Sequence, residues 1–128
     1  MVKTLLASLG AGLIFGAASP AVALGQAAAP MGQDMTVSGT VVDVTCKFAK
    51  GVQGAEHRQC GVVCANAGLP LAILGDDGTL YIPMGKDAGQ PGTVDLKPHV
   101  DHSVTVTGKV FTSGSAKGIM ISELSMRR

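Results

Sequence analysis

The stretch from Ser103 to Thr112 alternates cleanly, with Val104, Val106 and Val110 on one side and Thr105, Thr107, Lys109 and Phe111 on the other. Side chains that change face at each residue describe a half-buried β-strand, and β-branched residues suit a pleated surface. The same texture opens at Thr36, where Val37, Gly39, Val41 and Asp43 share one face and Val42 and Val44 the other. This first strand delivers Cys46 at its end. Leu71 to Leu74 and Thr79 to Pro83 flank Gly75-Asp76-Asp77-Gly78. Two apolar runs joined by residues that tolerate unusual backbone angles make a hairpin, so Asp76 and Asp77 are turn residues and not an acid/base pair. After a turn over Ser113 to Gly118, Ile119 to Met126 supplies a fifth strand.

One segment has helical spacing. Ala55 to Ala67 holds a single glycine, Gly61, and its end is marked three times over: Gly68 for a left-handed cap, Leu69 to fold back on the last turn, and Pro70 to forbid continuation. Lys47 to Gly54 reads as a loop. Met84 to His102 reads as a long polar connection in which His99, Asp101 and His102 are solvated. The expected architecture is therefore mainly β: a small five-stranded barrel of the oligonucleotide/oligosaccharide-binding (OB) type, or a rolled sheet, with one short helix after the first strand. The usual OB helix falls between the third and fourth strands. Such barrels host many unrelated sites, so the fold does not name a function.

Residues 1–23 read as a secretory signal peptide. Lys3 precedes an apolar Gly/Ala-rich stretch from Thr4 to Ala18, and Ala21-Val22-Ala23 offers a small-x-small cleavage site. The stretch is short of the roughly 20 residues that span a bilayer. The expected product is periplasmic or secreted and has no membrane span after cleavage. Residues 24–35, rich in alanine, glutamine and glycine, read as a flexible leader, and 36–128 as a single barrel-like domain. A domain of about a hundred residues buries a limited core, so a crosslink or metal clip contributes materially to its stability.

The charge excludes some partners. Ten basic residues, one of them Lys3, stand against nine acidic ones, with no cluster of either sign. Nucleic acid calls for a basic patch. Tyr81, Phe48 and Phe111 with the signal-borne Phe15 are also too few for a base- or sugar-stacking platform. No Gly-x-Ser-x-Gly elbow, phosphate-binding loop or Cys-x-x-Cys-His motif is present. The reading is a non-enzymatic protein whose chemistry sits in Cys46, His57, Cys60 and Cys64, which fall within nineteen residues.

The runs Gly39-x-Val41-x-Asp43-x-x-Cys46, His57-x-x-Cys60-x-x-x-Cys64 and Gly68-x-Pro70 resemble a pattern found in small exported bacterial domains, largely uncharacterised. The resemblance implies that the three cysteines and the histidine act as one unit.

Three chemistries compete for that unit. Three thiolates and an imidazole form a tetrahedral ligand set for zinc, and soft thiolates also suit monovalent copper. His57, Cys60 and Cys64 lie along one helical stripe, approached by Cys46. Copper is preferred over zinc on compartment and methionine content, with Met31, Met35 and Met84 as further thioether donors, and fits metal handling outside the cytoplasm, whereas zinc fits a structural site. In an oxidising compartment the cysteines form disulfides instead. Cys60 and Cys64, one turn apart, are badly placed to pair with each other, so Cys46 pairs with one of them and one thiol is left over. That arrangement makes a stapled interaction module or thiol-redox accessory of an extracytoplasmic protein partner. The third reading is a reactive thiol activated by His57.

Overall fold

The computed structural model describes residues 31–128. The stretches expected to be a signal peptide and most of the flexible leader lie outside the described residues. Five strands, β1 (Gln33–Asp43), β2 (Leu71–Gly75), β3 (Leu80–Pro83), β4 (Ser103–Ser113) and β5 (Ala116–Met126), close a barrel in the order β1-β2-β3-β5-β4. β1 begins at Gln33, so Gln33 to Met35 belong to the barrel and not to the leader. Met35 packs against the core, and its strand pairs with β4 from Gln33 onward.

Closure depends on β1 serving two neighbours. Its first part pairs with β4 (Gln33 to Thr40 against Val110 to Ser103), and its last part with β2 (Gly39 to Asp43 against Gly75 to Leu71). Gly39 is the changeover residue. A side chain there would collide with the Leu74 carbonyl. The barrel is completed by the parallel pairing of β3 with β5. Inward-facing Val37, Val41, Ile73, Tyr81, Val104, Val106, Val110, Ile119 and Ile121 fill it. The alternation in β4 is reproduced residue by residue: Val104, Val106, Gly108 and Val110 are buried, while the intervening residues are not.

The helical layer lies between β1 and β2, as expected, but it has two members. α1 spans Val44–Lys50 and α2 spans Arg58–Asn66. α1 occupies what the sequence suggests is a strand end and a loop. It starts because Asp43 turns its carboxylate back to accept the Cys46 N–H at 3.0 Å, an N-cap. It stops at Gly51, whose left-handed backbone (φ 69°) directs its N–H to the Lys47 carbonyl. α2 ends as the sequence predicts: Gly68 has φ 89°, its N–H reaches the Ala65 carbonyl, and the Leu69 N–H reaches that of Cys64. These two bonds are the Schellman motif.

The connection from Met84 to His102 is not wholly solvated. Leu96 and Val100 are buried, and a 3-10 turn over Lys97–His99 separates them. Val100 bridges to Val41, which brings Asp101 under the helical layer. This corrects the reading of Asp101 as a loop residue in water: it is 4% exposed. Among the described residues no helix is long and apolar enough to cross a membrane.

Candidate metal centre

Two separate constellations hold the chemistry-bearing residues. The first lies where β1 passes into α1. Asp43, Cys46 and Cys64 bring a carboxylate oxygen and two Sγ atoms to within 4.8 Å of one another. Asp43 is 1% exposed and Cys46 7%, while Cys64 is half-buried. The strand end and the first turn of α1 supply two of the donors, and α2 lays the third across them. All three cysteines are free thiols.

Asp43 has two oxygens with different tasks. Oδ1 caps α1, whereas Oδ2 is buried and has no hydrogen-bond partner among the described residues. Burial by itself raises the carboxyl pKa, but the Cys46 and Thr45 N–H groups and the two thiols together hold it below the ordinary carboxylate value. It is therefore an anion at neutral pH, facing two sulfurs. The Cys64 thiol responds in the opposite sense. Contact with the Asp43 carboxylate, then burial, then the negative charges of Asp43 and Cys46 push it up to about 11. That contact falls short of hydrogen-bond geometry, which is why Oδ2 stays unpartnered. An unsatisfied buried acceptor costs about 1–3 kcal/mol, and more when it is charged. A cation among the three donors would remove that cost.

His57 belongs to the second constellation. Its Nδ1 lies 2.8 Å from Oδ2 of Asp101, whose side chain is fully buried. Oδ1 of Asp101 accepts the Gly54 N–H at 2.8 Å, and its backbone carbonyl takes a 3.4 Å bond from the Arg58 guanidinium. Asp101 itself sits at φ 57°, the one non-glycine residue with positive φ among those described. Aspartate tolerates this region better than most residues. The result is a clamp that fixes the start of α2 to the barrel. His57 Nδ1 and Asp101 Oδ2 share one hydrogen bond, and His57 Nε2 is buried without a partner among the described residues.

Gly61 makes the clamp possible. A Cβ there would lie 2.5 Å from Val100 Cγ1 and 2.8 Å from Asp101 Oδ2. The helix can approach the Val100-Asp101 segment only where it has no side chain.

Of the four residues singled out from the sequence, then, Cys46 and Cys64 come together, His57 turns to Asp101, and Cys60 is exposed. Cys60 and Cys64 do share a helical stripe, but α2 begins at Arg58 with His57 as its N-cap residue, and the helix buries a different face. Gly61 and Ala65 are the buried residues of α2. At about 100° per residue, Cys64 lies roughly 80° from the centre of that face and Cys60 roughly 120°. Asp43 is the ligand candidate that sequence reasoning missed. Its signal was the Asp-x-x-Cys spacing at a strand end, which is the spacing of an N-cap and the N–H it receives.

The chain matches no known protein family, no characterised protein and no solved structure.

Concave surface elsewhere is not linked to these thiols. A groove of about 750 Å³ is lined by Lys86, Thr93, Thr107, Lys109 and Met120 among others, and one of about 460 Å³ by Leu69, Leu71 and Val94 among others. Neither is lined by a cysteine. The Asp43–Cys46–Cys64 cluster is compatible with metal binding.

Proposed function

We propose that this chain is an exported metal-handling protein that holds a thiophilic ion between Asp43, Cys46 and Cys64. The observation that carries the reading is the unpartnered Oδ2 of a buried Asp43 carboxylate with two thiols within 4.8 Å. The mixed donor set favours zinc(II) over copper(I). Zinc accepts both thiolate and carboxylate ligands, whereas copper(I) is selected by sulfur alone. Charge argues the same way: two thiolates and a carboxylate sum to minus three, and a divalent ion neutralises more of that than a monovalent one in a site with little water.

Three protein donors leave one position of a tetrahedron open. A closed four-ligand site would be structural, whereas an open one permits exchange. Zinc binding must also displace the Cys64 proton, which the neighbouring carboxylate retains to about pH 11, so affinity rises with pH. That combination suits an ion that is carried and released. The signal-like N-terminus supports an extracytoplasmic setting, and the resemblance to exported bacterial domains points the same way.

A second reading rests on the same sulfur pair. In an oxidising compartment, Cys46 and Cys64 are the two cysteines positioned to join. The disulfide would pin α2 to α1 and close a loop worth roughly 3 kcal/mol in unfolded-state entropy. Cys60 would then be the single free thiol.

Native mass spectrometry of the mature protein purified from an exporting host, with alkylation under denaturing conditions, separates the readings. One zinc per chain and three alkylated cysteines are expected, with the adduct lost in Asp43→Asn, which retains the capping oxygen. An apo mass lighter by two protons with one alkylated cysteine would overturn the metal reading in favour of the staple.

A further inference from the structure

The three sulfurs form a graded series. Cys46 is buried at the strand end, Cys64 is half-buried across from it, and Cys60 is exposed on the same helix one turn before Cys64. Residues four apart on a helix have Cβ atoms about 5–6 Å apart. That distance is too long for a comfortable disulfide but short enough for one metal ion to contact both sulfurs in turn. The ion-holding cluster meanwhile has three donors, one of them an unpartnered carboxylate oxygen fully withdrawn from solvent. It has no exposed donor of its own with which to receive an ion from outside.

We propose that Cys60 is the transfer thiol of this site: it takes the ion from a thiol-bearing donor, or yields it to an acceptor, and passes it by ligand exchange to Cys64. The proposal rests on the metal-holding reading above and extends it to how the ion enters and leaves.

The exchange conserves oxidation states. The Cys60 thiol gives its proton to solvent as its sulfur bonds zinc, and one donor thiolate leaves the zinc and takes up a proton. The Cys64 thiol then gives up its proton and bonds the ion as a second donor thiolate leaves and takes up a proton, the Cys46 thiol does likewise with a third, and the Asp43 oxygen replaces the last donor thiolate, which is also protonated. The Cys60–zinc bond breaks last, a water takes its place on the ion, and Cys60 is reprotonated. Each step exchanges one ligand for another, so the ion is not released bare into water.

The position of Cys60 also suits this role. It is about 120° from the centre of the buried helix face, so it is outside the holding cluster, while its helical neighbour Cys64 is inside it. A resident fourth ligand would instead have to be drawn in beside Cys46 and Asp43.

The test follows zinc exchange in the full mature chain kept reduced, with zinc supplied as its complex with a small dithiol and withdrawn by a coloured zinc chelator. Stopped-flow absorbance gives the rates, and competition at equilibrium gives the affinity. For Cys60→Ser, loading and extraction are expected to slow together by roughly tenfold or more with affinity changed less than about threefold. Cys64→Ser, by contrast, loses affinity. Circular dichroism of each variant checks folding, and because Cys60 is exposed its replacement leaves the barrel intact. Equal rates in Cys60→Ser and the parent would overturn the transfer role while leaving the metal site standing. A loss of affinity in Cys60→Ser as large as that of Cys64→Ser would also overturn it, making Cys60 a resident ligand. Absence of zinc binding by the parent chain would overturn both proposals.

Discussion

Replacing Gly61 with Ala sets two effects of opposite sign against each other. Alanine is the better helix former, and in a helix interior the exchange gains about 1 kcal/mol. At this position the new methyl would lie 2.5 Å from Val100 Cγ1 and 2.8 Å from Asp101 Oδ2. Val100 is fully buried. Overfilling a packed site costs about 1–3 kcal/mol. Asp101 cannot recede without lengthening its 2.8 Å contacts to His57 Nδ1 and the Gly54 N–H. Weakening a hydrogen bond to a charged group costs a further 1.5–3 kcal/mol or so. The losses exceed the gain, and a net destabilisation of about 2–4 kcal/mol follows. For a domain of this size that is a fall in Tm of at least about 8 °C. Urea unfolding followed by circular dichroism, with reductant and chelator present to remove disulfide and metal contributions, measures it. Gly68→Ala is the internal comparison. Nothing lies within 4 Å of a Cβ there, so only the left-handed backbone (φ 89°) opposes alanine, at about 1–2 kcal/mol. A Gly61→Ala protein as stable as the parent, or more stable, would refute the clamp as described.

Three further outcomes follow from the two constellations. Asp101→Ala, which deprives Gly54 and His57 of their acceptor, is expected to cost about 3 kcal/mol in urea unfolding; Asp101→Asn, which tolerates the same backbone and keeps an oxygen for Gly54, costs about half as much or less. In the reduced apo protein at pH 8, iodoacetamide followed by peptide mapping is expected to modify Cys60 first, because Cys64 is held protonated up to about pH 11 and Cys46 is buried; modification of Cys64 ahead of Cys60 would contradict the site electrostatics. Burial, then the charges of Arg58 and His99, lower the His102 pKa below its ordinary 6.5, against a smaller opposing effect of Asp101. The unfolded chain therefore binds the proton more readily, and the His102 contribution to stability is lost as pH falls below about 6.5 and levels off below the folded-state value. His102→Gln is expected to flatten that part of the urea midpoint profile between about pH 8 and pH 5.

The barrel was legible because its signals are local. The valines of β4, the turn at Gly75 to Gly78 and the Gly68-Leu69-Pro70 stop each act over a few residues, and each is found in the structure. α1 was not legible, because Val41-Val42-Asp43-Val44 has the composition of a continuing strand. Only the folding back of the Asp43 carboxylate onto the Cys46 N–H ends it. The His57–Asp101 contact joins positions 44 residues apart, and no spacing rule reaches across that distance. Asp101, flanked by histidines after a polar stretch, has the composition of a solvated loop, yet Val100 anchors it beneath the helices. The cysteine cluster was legible as a region and not as a ligand set. Which side of a helix stripe is buried depends on what the neighbouring element can accommodate, and here the bare backbone of Gly61 made the choice.

X-ray absorption at the zinc edge of the loaded, reduced mature protein tests the central claim most directly. The account predicts two sulfurs at about 2.3 Å and two lighter donors at about 2.0 Å, one of them from Asp43, with a spectrum altered in Asp43→Asn. A first shell of three or four sulfurs, or a spectrum with an imidazole signature unaffected by Asp43→Asn, would contradict it and return the ion to a site built from Cys46, His57, Cys60 and Cys64.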